Sequence, residues 1–406
     1  MKKLLVLAMV LIFAAFPAFA EMKISGEFDY YMVNGFDKDN ADAFEDNLNK
    51  LELDFSASVG DYSKMNIELE EDGSWNKGAG TAPEGTPSFN YAKIITDWGK
   101  FFGLEKAGIK TTIGLDYYET KNKVNFSGFG YEYSDNFFNP HMGRDMGAKL
   151  DLTFVDGLIQ PYAAISFDTV AEVTSKGKAN EDGVPQWMVG AALDFKSMDI
   201  PLWLEGYYVA NDYTEDTYYW GVDAMYNMDF EQFGFKVGGY IEGMRSYFDK
   251  DTAKRGFTAA ADDNKDYVWG AAVAFTAFGA QIAVSGAGFW GDTCDDMDVE
   301  CGFAAMGIDA SYFFLDWLGI NAGVSFAFGD YKEEIAGDSA FQTFEVGAIV
   351  KPSKGVEYRI GYMLVDEDAA TAKGKFMRTL NCNTPTDGAP ITAEKGGLYF
   401  TTKIDF

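Results

Sequence analysis

Histidine and cysteine are scarce in this chain of 406 residues, which holds one histidine and three cysteines. General acid–base and nucleophilic catalysis most often uses a histidine held beside a serine, a cysteine or a carboxylate. The single His141 follows Asn139 and Pro140 in a segment typical of a loop, and no matching cluster surrounds it in the sequence. The sequence therefore predicts that the protein is not an enzyme.

Basic residues are also few, with 33 lysines and arginines against 63 aspartates and glutamates and a formal net charge of −30. A chain of this acidity repels phosphate backbones and anionic lipid surfaces and attracts cations. The composition therefore argues against nucleic acid as a partner and favours cations.

Long apolar runs are nearly missing, and the mean hydropathy of −0.15 is too polar for a membrane protein built of many helices. One segment, 268–290, has 23 residues without a charge, which is long enough for a membrane helix. It contains four glycines and divides naturally at Phe278 and Gly279. The sequence therefore predicts two strands joined by a tight turn in this segment.

The two ends of the chain carry export signals. Lys2 and Lys3 precede an apolar run that ends at Phe16, and Ala18-Phe19-Ala20 is a small-residue cleavage pattern, so residues 1–20 are predicted to be a cleaved signal peptide. Residues 397–406 alternate apolar with polar side chains and end on Phe406. This ending resembles the signal by which bacterial outer-membrane proteins are recognised for insertion.

The last strand also predicts the fold class. A strand with one lipid-facing side at the end of the chain needs a first strand to close against, because lipid does not tolerate an open sheet edge. We therefore expect an all-β protein, a transmembrane antiparallel β-barrel that forms one domain over residues 21–406.

Period-two alternation recurs along this domain and predicts eighteen strands. Sixteen is the alternative if 63–70 and 89–101 are not strands. The predicted strands are 22–34, 48–59, 63–70, 89–101, 107–118, 145–155, 157–169, 186–196, 201–211, 217–229, 233–246, 267–277, 279–290, 303–315, 319–330, 341–351, 355–366 and 397–406.

The connections between these strands alternate between short and long. The short turns are expected at Gly60-Asp61, Val155-Asp156-Gly157, Met198-Asp199, Phe230-Glu231, Phe278-Gly279, Asp316-Trp317 and Ser353-Lys354-Gly355. The long polar outer loops are expected near 35–47, 71–88, 119–143, 170–185, 247–266, 291–302, 331–340 and 367–396. This is the pattern of a barrel with short periplasmic turns and long outer loops.

The charged residues follow the same period and are predicted to face the interior. Fourteen inward acids against eight inward bases favour a cation-preferring, water-filled lumen, although the charges could also pair with each other and only hydrate the wall. The inward acids are Glu27, Asp29, Glu52, Asp54, Glu68, Asp116, Asp151, Asp194, Glu205, Asp223, Glu242, Asp309, Glu345 and Glu357, and the bases are Lys23, Lys50, Lys64, Lys110, Lys149, Lys196, Lys236 and Arg359.

The loop 119–143 is long and rich in aromatic residues. The run 133–138, together with the strand ending at 154–158, resembles the stretch that leaves the third loop of the general trimeric porins of Gram-negative outer membranes. The resemblance implies that this loop folds into the barrel, that Glu132 and Asp135 are constriction candidates, and that the protein forms a homotrimer. The loop tip at 126–130 lacks the family's Pro-Glu-Phe-Gly-Gly pattern, and a loop packed on a neighbouring subunit would equally cover its rings.

The cysteines lie in predicted outer loops. Cys294 and Cys301 bracket an acidic run, and because an exported compartment permits disulfides, we expect a disulfide between them. Two thiols with no nearby histidine do not make a zinc site. The surrounding acids could weakly hold calcium, but no EF-hand spacing is present, so no cofactor is expected. Cys382 is left over, either free or paired with another molecule.

These features favour a porin that passes ions and small hydrophilic solutes by diffusion through the outer membrane. A sugar-type, substrate-specific channel is the first alternative, and in that case Trp203, Tyr207, Tyr219 and Tyr240 would form a stacking track. A non-conducting structural or surface-binding barrel is the second alternative.

Overall fold

The structure is a computed structural model, and it describes residues 22–35, 44–71, 88–104, 106–121, 145–166, 186–210, 218–230, 233–245, 265–292, 302–303, 305–328, 341–365 and 397–406. The predicted signal peptide, His141, Cys294, Cys301 and Cys382 lie outside these residues. Among the described residues, no helix is both long enough and apolar enough to span a membrane.

Eighteen strands form one antiparallel sheet in which each strand pairs with its neighbours in the sequence. The strands are β1 (Met22–Gly35), β2 (Phe44–Val59), β3 (Ser63–Glu71), β4 (Ser88–Asp97), β5 (Gly108–Asp116), β6 (Asp145–Thr153), β7 (Ile159–Ser166), β8 (Trp187–Asp194), β9 (Leu202–Ala210), β10 (Tyr218–Asp229), β11 (Phe233–Arg245), β12 (Lys265–Ala277), β13 (Ala280–Gly291), β14 (Ala305–Leu315), β15 (Leu318–Ala327), β16 (Phe341–Ser353), β17 (Val356–Val365) and β18 (Gly397–Asp405).

The sheet closes on itself because β1 also pairs with β18, from Glu27 opposite Asp405 to Gly35 opposite Gly397. The terminal Phe406 completes this seam, since its backbone N–H donates to the carbonyl oxygen of Gly26 at 3.0 Å. The predicted closed barrel and its count of eighteen strands are therefore confirmed, and the alternative of sixteen is wrong.

The uncharged segment 268–290 is confirmed as a hairpin. Ala277 and Ala280 are the last paired residues of β12 and β13, so only two residues form the turn. Both of them, Phe278 and Gly279, have positive φ angles of 51° and 81°. A two-residue hairpin turn of this kind matches the twist of the strands that it joins.

The end of β4 differs from the sequence-based prediction, which extended this strand to residue 101. The strand ends at Asp97, whose side chain accepts a hydrogen bond from the backbone N–H of Lys100 at 3.0 Å. This cap begins a single helical turn, α1 (Trp98–Phe101). The aromatic residues of this turn are typical of a strand, which is why the sequence predicted one there. An aspartate that caps the first turn favours a helix instead.

Candidate functional site: the interior wall of the barrel

The pairing register divides the side chains between two faces, because directly opposite residues of an antiparallel pair project on the same side. Glu205 lies opposite Asp223, Asp223 lies opposite Tyr240, and Glu242 lies opposite Val268. All of these side chains are nearly fully buried. They belong to the interior face of the wall.

Tyrosines on this face reach carboxylates two strands away. The hydroxyl of Tyr162 on β7 passes the intervening β8 and donates to Oε1 of Glu205 on β9. The β8 residue opposite Tyr162 is Gly190, where a side chain would collide with the tyrosine ring. A glycine in the middle strand therefore allows the ring to lie flat against the backbone.

The same arrangement recurs twice. Tyr207 on β9 lies over Gly221 on β10 and donates to Oε2 of Glu242 on β11 at 2.9 Å. Tyr399 on β18 lies over Gly361 on β17 and donates to Oε1 of Glu345 on β16 at 2.9 Å. We call these three sets the tyrosine–glycine–glutamate units: Tyr162, Gly190 and Glu205; Tyr207, Gly221 and Glu242; Tyr399, Gly361 and Glu345.

The chain leaving β5 stays on the interior face through residue 121. Tyr118 is buried, and its hydroxyl donates to the carbonyl oxygen of Gly114 at 2.6 Å. The backbone N–H of Lys121 then donates to Oε1 of Glu205 at 2.8 Å, and its Nζ lies 3.1 Å from Asp151. The first residues of the third long connection are thus fastened to the interior wall. Residues 122–144, with the constriction candidates Glu132 and Asp135, lie outside the described residues.

An acidic group lies on the interior side of β2 and β3. One carboxylate oxygen from each of Glu52, Asp54 and Glu68 falls within 4.8 Å of the others. Tyr91 donates to Asp54 at 2.7 Å, and the amide of Asn90 donates to Glu68. These donors hold the carboxylates, while Glu52 and Asp54 remain half-buried.

Basic residues lie on other parts of the interior wall. Lys93 is 2.8 Å from Asp116, and Lys403 is 2.7 Å from Glu27 across the seam. Glu357 pairs with both Lys351 and Arg359. Each of these four bases lies beside an acid, and together they compensate part of the negative charge of the wall.

The predicted pore-lining residues fall into two groups by exposure. Asp116, Glu205, Asp223, Glu242, Asp309 and Glu345 are buried, each at most 8% exposed. Glu52, Asp54, Lys149, Asp151 and Arg359 retain partial access, and Lys110 is exposed. The side chain of Lys50 is not among those described. A pore-lining role for these residues stays a prediction.

Sequence reasoning missed several residues that hold the wall together. Lys93, Lys121 and Tyr162 make the contacts above, yet none was among the predicted site residues. The alternation of side chains within β4 and β7 places Lys93 and Tyr162 on the interior face, and this signal could have identified both. The pairing of Tyr162 with Gly190 is known only from the structure. The contact between Lys121 and Glu205, which are 84 residues apart, has no sequence signal.

The proposed stacking track is mostly covered. Trp203, Tyr207 and Tyr240 are at most 5% exposed, and the side chain of Tyr219 is outside the described set. Rings buried to this extent cannot stack on a passing solute, so the described residues give the sugar-channel alternative no support.

The opposite face of the wall is apolar and exposed. We call its aliphatic residues the outer belt: Ile94, Ile113, Leu150, Ile165, Val189, Val222, Ile282, Ile320, Val346, Ile360 and Leu398. Exposed rings lie beyond it at the short-turn end, for example Tyr62, Phe154 and Trp317. Stacked rings lie at the other end, where Tyr267 and Trp290 are 5.3 Å apart between centroids.

The sequence matches no protein-family model and no curated protein. Among solved structures, the chain is similar to Pseudomonas aeruginosa OccK9, with 9% identity over 95% of this chain and 97% of that chain and a TM-score of 0.53. It is also similar to Pseudomonas aeruginosa OprD, with 10% identity over 96% of this chain and 95% of that chain and a TM-score of 0.50.

An engineered variant of Rh. blastica porin is 12% identical, over 95% of this chain and all of the other, with a TM-score of 0.46. The two Pseudomonas aeruginosa structures extend over nearly the whole of both chains. Together with the closed antiparallel sheet of eighteen strands, they show that this chain has the fold of an outer-membrane, porin-like β-barrel.

Proposed function

We propose that the protein is an outer-membrane channel through which ions and small hydrophilic solutes diffuse passively, with a preference for cations. The observation that carries this proposal is the combination of a closed barrel, an exposed apolar outer belt and a charged interior wall. A barrel of this kind satisfies every backbone hydrogen bond and keeps its charges away from lipid.

The outer belt supports a location in lipid. On β12, Tyr267 and Phe275 lie on the outer face near opposite ends of the strand. They are roughly 27 Å apart along the strand at about 3.4 Å per residue, and a strand tilt of about 40° shortens this height to roughly 20 Å. Transmembrane barrels carry an apolar band about 25 Å tall between two aromatic girdles. We also propose that residues 1–20 are a signal peptide, which directs export of the chain and is then cleaved.

The size of the barrel supports a channel. Barrels of about sixteen to eighteen strands are too wide for wall side chains to fill. Half-buried acids such as Glu52 and Asp54 would give the accessible interior a negative potential, which favours cations. Passive diffusion requires no catalytic group, and we propose that the protein is not an enzyme.

We also propose that three barrels associate, as the porin resemblance implies. The mass of the purified complex in mild detergent, measured by native mass spectrometry, tests this directly. Three chains per complex are expected, and a single chain under conditions that retain the fold contradicts the trimer.

The channel itself is tested by single-channel conductance in a planar bilayer, with the reversal potential measured under a salt gradient. Stepwise openings and a cation-selective reversal potential are expected. In the double variant Glu52→Gln, Asp54→Asn the reversal potential should move towards zero, because two interior charges are lost. Asp61→Asn, in the exposed turn between β2 and β3, is the matched control and should change it little.

Two results contradict the proposal. A folded protein that never opens would favour a structural barrel. An anion-selective reversal potential would keep the channel and refute its cation preference.

A further inference from the structure

Two buried acids face each other on the interior wall. Glu205 on β9 and Asp223 on β10 are directly opposite, and they are 2% and 1% exposed. Residues opposite in an antiparallel pair have Cβ atoms about 4.5–5.5 Å apart. Two buried negative charges at this separation are costly without a neutralising group.

Asp223 has no partner within the described part of the chain. Neither of its carboxylate oxygens receives a hydrogen bond there, although the side chain is almost completely buried. Buried polar groups in native proteins are nearly always paired with protein, water or an ion. An unpaired buried carboxylate opposite a second buried carboxylate therefore points to a ligand shared by the two.

Glu205 is held in an orientation that leaves one oxygen free. Its Oε1 accepts both the Tyr162 hydroxyl and the backbone N–H of Lys121, while its Oε2 has no hydrogen-bond partner among the described groups. Donors of this kind fix the direction of a ligating group at metal sites. Three oxygens are then available, two from Asp223 and one from Glu205.

The two lysines near this wall, Lys121 and Lys149, are shared between Glu205 and Asp151. Lys121 Nζ lies 3.1 Å from Asp151, and Lys149 Nζ lies 3.5 Å from the same carboxylate. On the next strand, Glu242 adds a third buried acid to the face. With Asp151, four acids then face two lysines, so the local charge is negative and favours a cation over a neutral ligand.

We propose that Glu205 and Asp223 form a binding site for a divalent cation of the calcium type. Calcium prefers oxygen ligands at about 2.3–2.6 Å and accepts a carboxylate in bidentate geometry, which suits Asp223. Its charge would neutralise the two carboxylates. Magnesium demands near-ideal octahedral geometry and retains several waters, so it suits a buried pair less well.

This inference goes beyond the proposed channel, because binding is measured in detergent and does not require conduction. Terbium serves as the probe, since it substitutes for calcium and emits when nearby aromatic rings are excited. Trp203 lies two residues before Glu205 on the same face of β9 and is buried beside it. Emission from the full-length, folded barrel is expected on adding terbium, and calcium should displace it.

The variants Asp223→Asn and Glu205→Gln keep the side-chain shape and remove one charge each. Both are expected to weaken the calcium-displaceable binding by at least about tenfold. Glu68→Gln, in the other interior acidic group, is the matched control and should stay within about twofold of the parent protein.

Unchanged binding in folded Asp223→Asn would overturn the site. Loss of binding in Glu68→Gln alone would place the site on β2 and β3. Absence of calcium-displaceable binding in the parent protein would indicate that Glu205 and Asp223 share a proton instead.

Thermal unfolding gives a second measurement, because calcium should raise the midpoint of the parent protein and leave that of Asp223→Asn unchanged.

Discussion

Single interior carboxylates differ in how they are held. Glu205 accepts two hydrogen bonds on one oxygen, Glu357 is paired with a lysine and an arginine, and Asp223 has no described partner. A hydrogen bond to a charged group contributes about 1.5–3 kcal/mol. The energetic role of an acid on this wall is therefore set by its donors.

Tyr162→Phe removes one of the two donors to Glu205. The free energy of unfolding is expected to fall by about 2 kcal/mol, because a buried carboxylate loses a hydrogen bond. Urea unfolding of the barrel in lipid vesicles, followed by tryptophan fluorescence, measures the change.

Tyr226→Phe is the matched control for this prediction. The hydroxyl of Tyr226 has only a weak contact, 3.7 Å from the sulfur of Met228, so its loss should change the free energy of unfolding by less than about 0.5 kcal/mol. Equal destabilisation by both variants would show that the bond between Tyr162 and Glu205 contributes nothing to stability.

Neighbouring strands are joined by more than their backbone ladders. In each tyrosine–glycine–glutamate unit, a ring on one strand crosses a glycine on the next and bonds a carboxylate on the third. Three strands are then tied by one side chain, and the register of the middle strand is fixed because only a glycine fits under the ring.

Gly221→Ala tests this arrangement. A Cβ at this position would collide with the ring of Tyr207, so the tyrosine must move and its bond to Glu242 is strained. The expected loss is about 1–3 kcal/mol in the free energy of unfolding, measured as for the tyrosine variants.

Gly206→Ala provides the comparison on the adjacent strand. Gly206 pairs next to this unit, opposite Val222, but the nearest atom to an added Cβ is 3.9 Å away. Alanine should be neutral there or stabilise the barrel by up to about 1 kcal/mol. If both alanines have the same effect, steric contact with the tyrosine is not the cause.

The whole molecule presents an apolar belt outside and charge inside. This division explains how a chain with a formal net charge of −30 can form a barrel suited to lipid, because its charged strand residues are collected on one face of the wall. The belt residues come from eleven different strands of the closed sheet, and no single strand would be stable with such a face in water.

Ile113→Arg places a charge in the middle of the outer belt, where Ile113 is 51% exposed. An arginine at mid-membrane depth costs about 2–4 kcal/mol, and at the interface only about 0–1 kcal/mol. Ile113→Arg should therefore lower the stability of the barrel in vesicles much more than Val59→Arg, because Val59 ends β2 beside a short turn. Equal effects would contradict the proposed position of the belt in lipid.

Local alternation was enough to predict most strands, because side-chain direction along a strand has a period of two. The end of β4 escaped this reasoning, since Asp97 caps a helical turn whose aromatic residues resemble a strand. The closed seam between β1 and β18 was predicted from the alternation of residues 397–406, because a sheet with one apolar face does not tolerate an open edge in lipid.

The tertiary structure alone decided which interior side chains meet. Tyr162 reaches Glu205 across an intervening strand, Lys121 reaches the same carboxylate from a distant part of the chain, and Asp223 is left without a described partner. The sequence by itself determined the faces, because they depend on neighbouring residues. The contacts depend on strand register, on barrel curvature and on the path of a long connection, none of which is encoded within a single strand.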